Sequence, residues 1–462
     1  MKGCTIGLAV LSALMSWAGV GAYSFSTNSS AMQRLDLHEK HSSFGQVVAI
    51  QGDIAVVSAP HYSFNQLQQA DGIIYVYRLD YSYWTLIRGI TDLEYNDQFG
   101  LTMAMHTDYF TVIGAPYSRH YDQRSGCVYY VYIESDPYKH QNDVVQVVQS
   151  ERHAEAGFGS SVAVGVVLGK VTVAVGAPNH RERGAVFTYT RMTDGTLSNE
   201  EILYTSDDGA ARDIAALSLG AGVQVGNNMV LGGCPGGKRG YVYVFQRVGG
   251  QSFSESSVLT ALSGYEDDNN DDQQSYQQEN YAKQVEEFGE TIAIGDGYIF
   301  VGAPFAYSAS DHNTNYGAVT AYTYKMDADG VASSFLLYQT LTPEHLPRGG
   351  ASSFFGISLS YDSSEKRLAV GSPYGTYPSN ELGYVTLYTF DDYYNKFATE
   401  TVLDVDSYLP VENSGDMQRY GETSQAGFGS SVSMSSGYVI AGAPQGASHY
   451  GDAYIFAAYG VG

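Results

Sequence analysis

Apolar and polar residues alternate along most of the chain with a period of two, in short runs that stop at Gly, Pro, Asn or Asp. That period is the signature of β-strands with one face buried. The first such group runs Val47 to Ile50, Ile54 to Ser58, Ile73 to Tyr77 and Tyr83 to Ile87, four strands in succession. No stretch shows the 3.6-residue period of a long amphipathic helix.

The four-strand group recurs with a fixed punctuation. A Phe-Gly pair opens each unit: Phe44 and Gly45, Phe99 and Gly100, Phe158 and Gly159, Phe288 and Gly289, Phe355 and Gly356, Phe428 and Gly429, with Leu219 and Gly220 as the variant. A triplet of two small residues and proline follows, ending at Pro60, Pro116, Pro178, Pro235, Pro304, Pro373 or Pro444, and a third element begins at Gly72, Gly126, Gly184, Gly240, Gly317, Gly383 or Gly451. Consecutive units start 55 to 73 residues apart. Physical reasons fit each position of the motif. The Phe wedges between neighbouring units, the Gly permits a backbone approach that a Cβ would block, and the Pro ends a ladder because it lacks an N–H.

Seven repeats of four short antiparallel strands predict an all-β fold, a seven-bladed β-propeller of four-stranded blades. The last repeat runs out after Tyr454, Ile455 and Phe456, without chain for a fourth strand, while Met32 to Leu37 precedes the first Phe-Gly where every other unit carries its fourth strand. The N-terminal strand is therefore expected to complete the seventh blade and hide two sheet edges.

The first residues stand apart from this pattern. Lys2, the apolar run Ile6 to Val20 and the small residues before Tyr23 read as a signal peptide spanning 1–22 and cleaved after Ala22, leaving 23–462 as one propeller domain in a secreted, extracellular protein. The run is shorter than the roughly 20 apolar residues that a transmembrane helix needs, so no membrane insertion is expected. Cys4 leaves with the signal, and Cys127 and Cys234 fall in different blades and read as small core residues rather than a disulfide framework. A formal net charge of −25 argues against nucleic acid as a partner. The 40 tyrosines suit strands and equally suit contact surfaces for protein or carbohydrate. Asn28, followed by Ser30, is a glycosylation sequon just after the expected cleavage site.

The Phe-Gly to Gly-Ala-Pro repeat resembles the FG-GAP repeats that build the propeller of integrin α chains and of related surface proteins, and the resemblance covers essentially all of 23–462. It implies adhesion or recognition of an extracellular protein or glycan, and implies that the face carrying the loops after each proline and the loops between blades meets the ligand. On that face the first loop set holds His61, Tyr62, Tyr117, Arg119, His120, His180, Arg181, Tyr307, His312, Tyr374, Tyr377, His449 and Tyr450, and the second holds Tyr265, Tyr281 and Tyr420. Aromatic and adaptable polar side chains are what such an interface uses. Five histidines after the prolines also raise metal binding or pH sensing, which their spacing alone does not decide.

The family's calcium loops, Asp-x-Asp-x-Asp-Gly between first and second strands, have no counterpart here, so no cofactor is carried over. Asp268, Asn270, Asp272 and Glu279 imitate positions 1, 3, 5 and 12 of an EF-hand loop, but Gln273 stands where the turn needs Gly, leaving a weak calcium candidate. No HExxH, GxSxG, Walker loop or CxxC pair is present, and Ser206 to Gly209 is a lone Asp-box-like stretch, so no enzyme is expected. A subunit of an extracellular matrix, coat or filament that self-associates is the alternative reading, and a polysaccharide-processing enzyme the third.

Overall fold

The computed structural model describes residues 23–25, 32–35, 42–63, 71–91, 97–107, 110–118, 125–133, 144–149, 156–205, 218–236, 240–248, 251–261, 287–306, 316–343, 352–375, 383–405, 427–445 and 451–460. Their strands form seven antiparallel sheets, and in each complete blade strands A, B, C and D follow one another in sequence order. Blade 1 is Val48–Gln51, Ile54–Ala59, Ile73–Asp80 and Tyr83–Ile90. The A strands pack on one another in cyclic order from blade 1 to blade 7 and back to blade 1, so they surround the axis and the D strands form the periphery. The chain is a seven-bladed β-propeller.

The recurrent motif is a lock between blades. Phe44, Phe99, Phe158, Leu219, Phe288, Phe355 and Phe428 are all fully buried. The backbone beside each is pressed onto the blade before it. A Cβ on Gly442 would stand 1.9 Å from the carbonyl oxygen of Gly45, and one on Gly451 would stand 2.2 Å from that of Phe44. Glycine is thus the residue that the contact admits, and the same pairing recurs around the ring, for example Gly176 on Gly220 and Gly233 on Gly289.

Blade 7 closes the ring as the sequence predicts, with one addition. Met32–Leu35 pairs antiparallel with strand C, Asp452–Gly460, in the register Met32↔Phe456 to Leu35↔Ala453. Strand C continues beyond Phe456, and its last residues pair with Tyr23–Phe25, so that the outer strand is supplied in two pieces. Arg34 Nε and Nη2 both lie 2.9 Å from Oδ1 of Asp452, a carboxylate only 1% exposed. The sequon at Asn28 lies outside the described residues.

A second device ties the periphery. The side-chain amide of Gln33 donates to the Trp84 carbonyl and accepts from the Trp84 N–H, both at 2.7 Å. Gln146 grips Leu197, Gln339 grips Phe397 and Gln246 grips Ala332 in the same two-way manner, each across a blade boundary. A primary amide carries a donor and an acceptor side by side, so it substitutes for one rung of a β-ladder between sheets that are not otherwise hydrogen-bonded there.

Cys127 and Cys234 are buried and are not joined in a disulfide. Burial pushes the Cys234 thiol up to about 12, leaving it protonated and inert at neutral pH. At the A–B hairpin of blade 6, Asp362 Oδ1 accepts from the N–H and hydroxyl of Ser364, and Glu365 pairs with Arg367. Both carboxylates of that hairpin are engaged by the protein itself.

Candidate functional site

Two positions of every repeat lie on the face that carries the B–C and D–A loops. One follows the proline that ends strand B: His61, Tyr117, Asn179, Gly236, Phe305, Tyr374 and Gln445. The other precedes the Phe-Gly that opens strand A: Ser43, Gln98, Gly157, Ser218, Glu287, Phe354 and Gly427. In six blades this second residue has φ between +52° and +69°, a left-handed turn that aims the following Phe into the core.

In blades 1, 3, 6 and 7 the two positions touch. His61 Nδ1 lies 3.0 Å from Ser43 Oγ. Asn179 lies over Gly157 and Gln445 over Gly427, and the backbone repeats the tie, with His61 N donating to Ser42 O and Asn179 N to Ala156 O. The scaffold around these fourteen positions is repetitive, whereas their side chains change from blade to blade. They form a ring of variable groups at the mouth of the channel.

The ring is lopsided. In blades 5 and 6 it is aromatic: Phe354 sits edge-to-face between Phe305 of the preceding blade, with centroids 4.8 Å apart, and Tyr374 of its own, 5.3 Å apart. The Tyr374 hydroxyl then accepts from Gln445 Nε2 of blade 7 at 3.4 Å. All three rings are half-exposed. In blades 3 and 4 the same positions hold Gly157, Asn179, Ser218 and Gly236, which leave the rim low. Between these halves Glu287 and Glu290 lie in the turn that leads into strand A of blade 5, Thr291–Gly295, and burial first, then the neighbouring Glu287, raises the Glu290 carboxyl above its usual range.

Phe354 stands out. A bulky residue at positive φ, here +52°, is a costly conformation, of order 1–3 kcal/mol. The other blades place Ser, Gln, Glu or Gly there.

The structure distributes the sequence-predicted residues unevenly. Tyr374 belongs to the aromatic ridge, while His61 and Tyr117 are exposed ring members. Tyr62 closes its own loop, its carbonyl accepting from the N–H groups of Asp71 and Gly72. His180 is buried at 1% exposure, edge-on to Phe187 at 5.3 Å, with Nε2 3.2 Å from the Tyr204 hydroxyl. Arg181 lies outside it, with its guanidinium 5.6 Å from the centre of the Tyr204 ring. His61 and His180 thus occupy separate blades with separate partners, and no group of three potential metal ligands occurs among the described residues. Arg119, His120, Tyr307, His312, Tyr377, His449, Tyr450, Tyr265, Tyr281 and Tyr420, with Asp268, Asn270, Asp272 and Glu279, lie outside the described residues.

Sequence reading missed Phe305, Phe354, Gln445 and Tyr204. The signal for the first three was present: aligning the repeats on Pro and on Phe-Gly exposes one unconstrained position beside each.

No protein-family model matches the chain, and no curated protein matches it. Solved structures do. A protein provisionally assigned as a 6-phosphogluconolactonase from Bacteroides uniformis is 11% identical, with a TM-score of 0.49, over 85% of this chain and 89% of its own. The periplasmic gluconolactonase of Pseudomonas aeruginosa is 11% identical, with a TM-score of 0.45, over 83% and 90%. Sqt1 of Saccharomyces cerevisiae is 11% identical, with a TM-score of 0.43, over 89% and 83%. At this distance they bear on neither chemistry nor ligand.

Proposed function

We propose that the protein is a secreted recognition or adhesion module of the FG-GAP type, whose rim, at the mouth of the channel, binds an extracellular glycan or protein. The observation that carries this reading is the ridge Phe305–Phe354–Tyr374, three half-exposed rings held across two blades, one of them kept in a strained backbone conformation. Rings supply contact area at low entropic cost, and strain retained at an exposed position is a mark of function. Binding of the chain 23–462 to glycan and extracellular-protein arrays tests it. Saturable binding that is lost in Phe305→Ala and Tyr374→Ala supports the reading, and binding indifferent to both sinks it.

A second reading, a self-associating structural subunit, is favoured by a different observation: Tyr81, Tyr83, Tyr393 and Tyr394 stand 66% to 97% exposed on the C–D hairpins of blades 1 and 6. Light scattering on the purified chain separates the two, because a recognition module remains monomeric without ligand and a structural subunit polymerises.

A further inference from the structure

The opposite face, built from the A–B and C–D hairpins, holds a cleft of about 520 Å³ where blades 3, 4 and 5 meet. That is within the size range of small-ligand sites. Val166 and Met326, 43% and 41% exposed, form apolar walls. The Asn227–Asn228 turn and Tyr324 form the floor.

The polar groups of the floor are hydrogen-bonded to one another and to the blades around them. Asn227 Nδ2 donates to the Tyr324 hydroxyl at 2.6 Å, which donates to the Gly295 carbonyl at 2.7 Å. Asn228 accepts from Leu168 N at 2.7 Å and donates to Gly330 O at 3.1 Å, spanning all three blades. Burial raises Tyr324 above the usual phenol range, which keeps it neutral. Gly297 and Asp296 complete the lining, and Asp296 is exposed at the tip of its hairpin, its carboxylate without a hydrogen-bonding or ionic partner among the described residues.

From this geometry we infer that the cleft receives a lysine or arginine side chain of a basic partner peptide, with the aliphatic stem against Val166 and Met326 and the cationic head on Asp296. An ionised carboxylate only accepts hydrogen bonds, so it selects a donor, and apolar walls leading to a lone acceptor match a side chain with a long methylene stem. The net charge of −25 draws such a partner toward the chain. The site is independent of the rim on the other face.

Fluorescence polarisation of the purified chain 23–462 tests this, with a labelled peptide of alternating Leu and Arg and with the same peptide carrying Glu in place of Arg. The Arg peptide should bind saturably and the Glu peptide should not. Asp296→Asn, which keeps shape and removes charge, should weaken binding about tenfold. Val166→Arg, which places a cation in the cleft, should abolish it, with thermal unfolding of both variants unchanged. Asp392→Asn, an acid on the same face in blade 6, and Tyr374→Ala on the rim should each leave it within about twofold. Equal losses from Asp296→Asn and Asp392→Asn would reveal unspecific charge attraction, and indifference to Asp296→Asn, loss through Tyr374→Ala or absence of saturable binding would equally overturn the inference.

Discussion

Among single side chains, the molecule separates positions that hold the ring from positions that use it. Phe354 tests the distinction. Phe354→Gly keeps the left-handed turn, removes the strain and deletes the middle of the ridge. Thermal unfolding should show the variant equal to or up to about 1 kcal/mol more stable than the parent, while ligand binding is lost. Gly442→Ala should do the reverse. A methyl group 1.9 Å from the Gly45 carbonyl forces blades 7 and 1 apart, and urea unfolding should record a loss of about 3 kcal/mol or more. The motif residues were legible because they repeat, each being dictated by the same close contact between blades. The rim was not legible by the same route, since a search for recurrence passes over the positions at which Ser43, Gln98, Glu287 and Phe354 differ. The cleft around Asp296 was invisible for another reason: its lining comes from four hairpins of three blades, and adjacency between blades is a property of the ring.

Between strands that share no ladder, side chains make the joints, and these joints differ in cost. Gln339→Ala leaves the N–H and carbonyl of Phe397 without the Gln339 amide, and chemical denaturation should show a loss of about 1–3 kcal/mol. The latch at the closure is asymmetric. Arg34→Ala takes the guanidinium away from the buried Asp452 carboxylate, which keeps the Tyr454 hydroxyl at 3.4 Å, and should cost about 1.5–3 kcal/mol, whereas Asp452→Ala leaves Arg34, which is 29% exposed and reaches water, and should cost less. The closing strand itself was legible as the missing fourth strand. The glutamine joints also left a trace, in that Gln33, Gln146 and Gln339 each stand two residues before the last buried apolar position of a D strand, Leu35, Val148 and Leu341.

For the ring as a whole, acidity and burial oppose each other. Glu290 has its folded pKa raised by burial and then by Glu287, so the folded state binds the proton more tightly than the unfolded chain does. Its contribution favours folding on the acidic side and is lost as pH rises through the folded pKa. Glu290→Gln should therefore raise the unfolding midpoint near pH 7 and flatten its decline toward higher pH, with the difference from the parent vanishing near pH 4, where the parent carboxyl is itself protonated. His61 runs the other way. Partial desolvation on the rim lowers its pKa, so its contribution is present above the unfolded value and is lost as pH falls through the lowered folded one. Midpoints measured across this range in the parent, Glu290→Gln and His61→Gln separate the two slopes.

Arg34 and Asp452 stand 418 positions apart in sequence, yet the pairing between their strands completes the ring. A ribosome delivers Met32–Leu35 first and its partner strand last, so six blades emerge while that segment has no sheet to join. The contact is among the most distant that the chain makes, and distant contacts form slowly. During the delay a neighbouring nascent chain can offer its own seventh blade to the waiting strand. Reciprocal exchange of that strand between two copies is the misassembly that this topology invites, and dense polysomes are where it would accumulate.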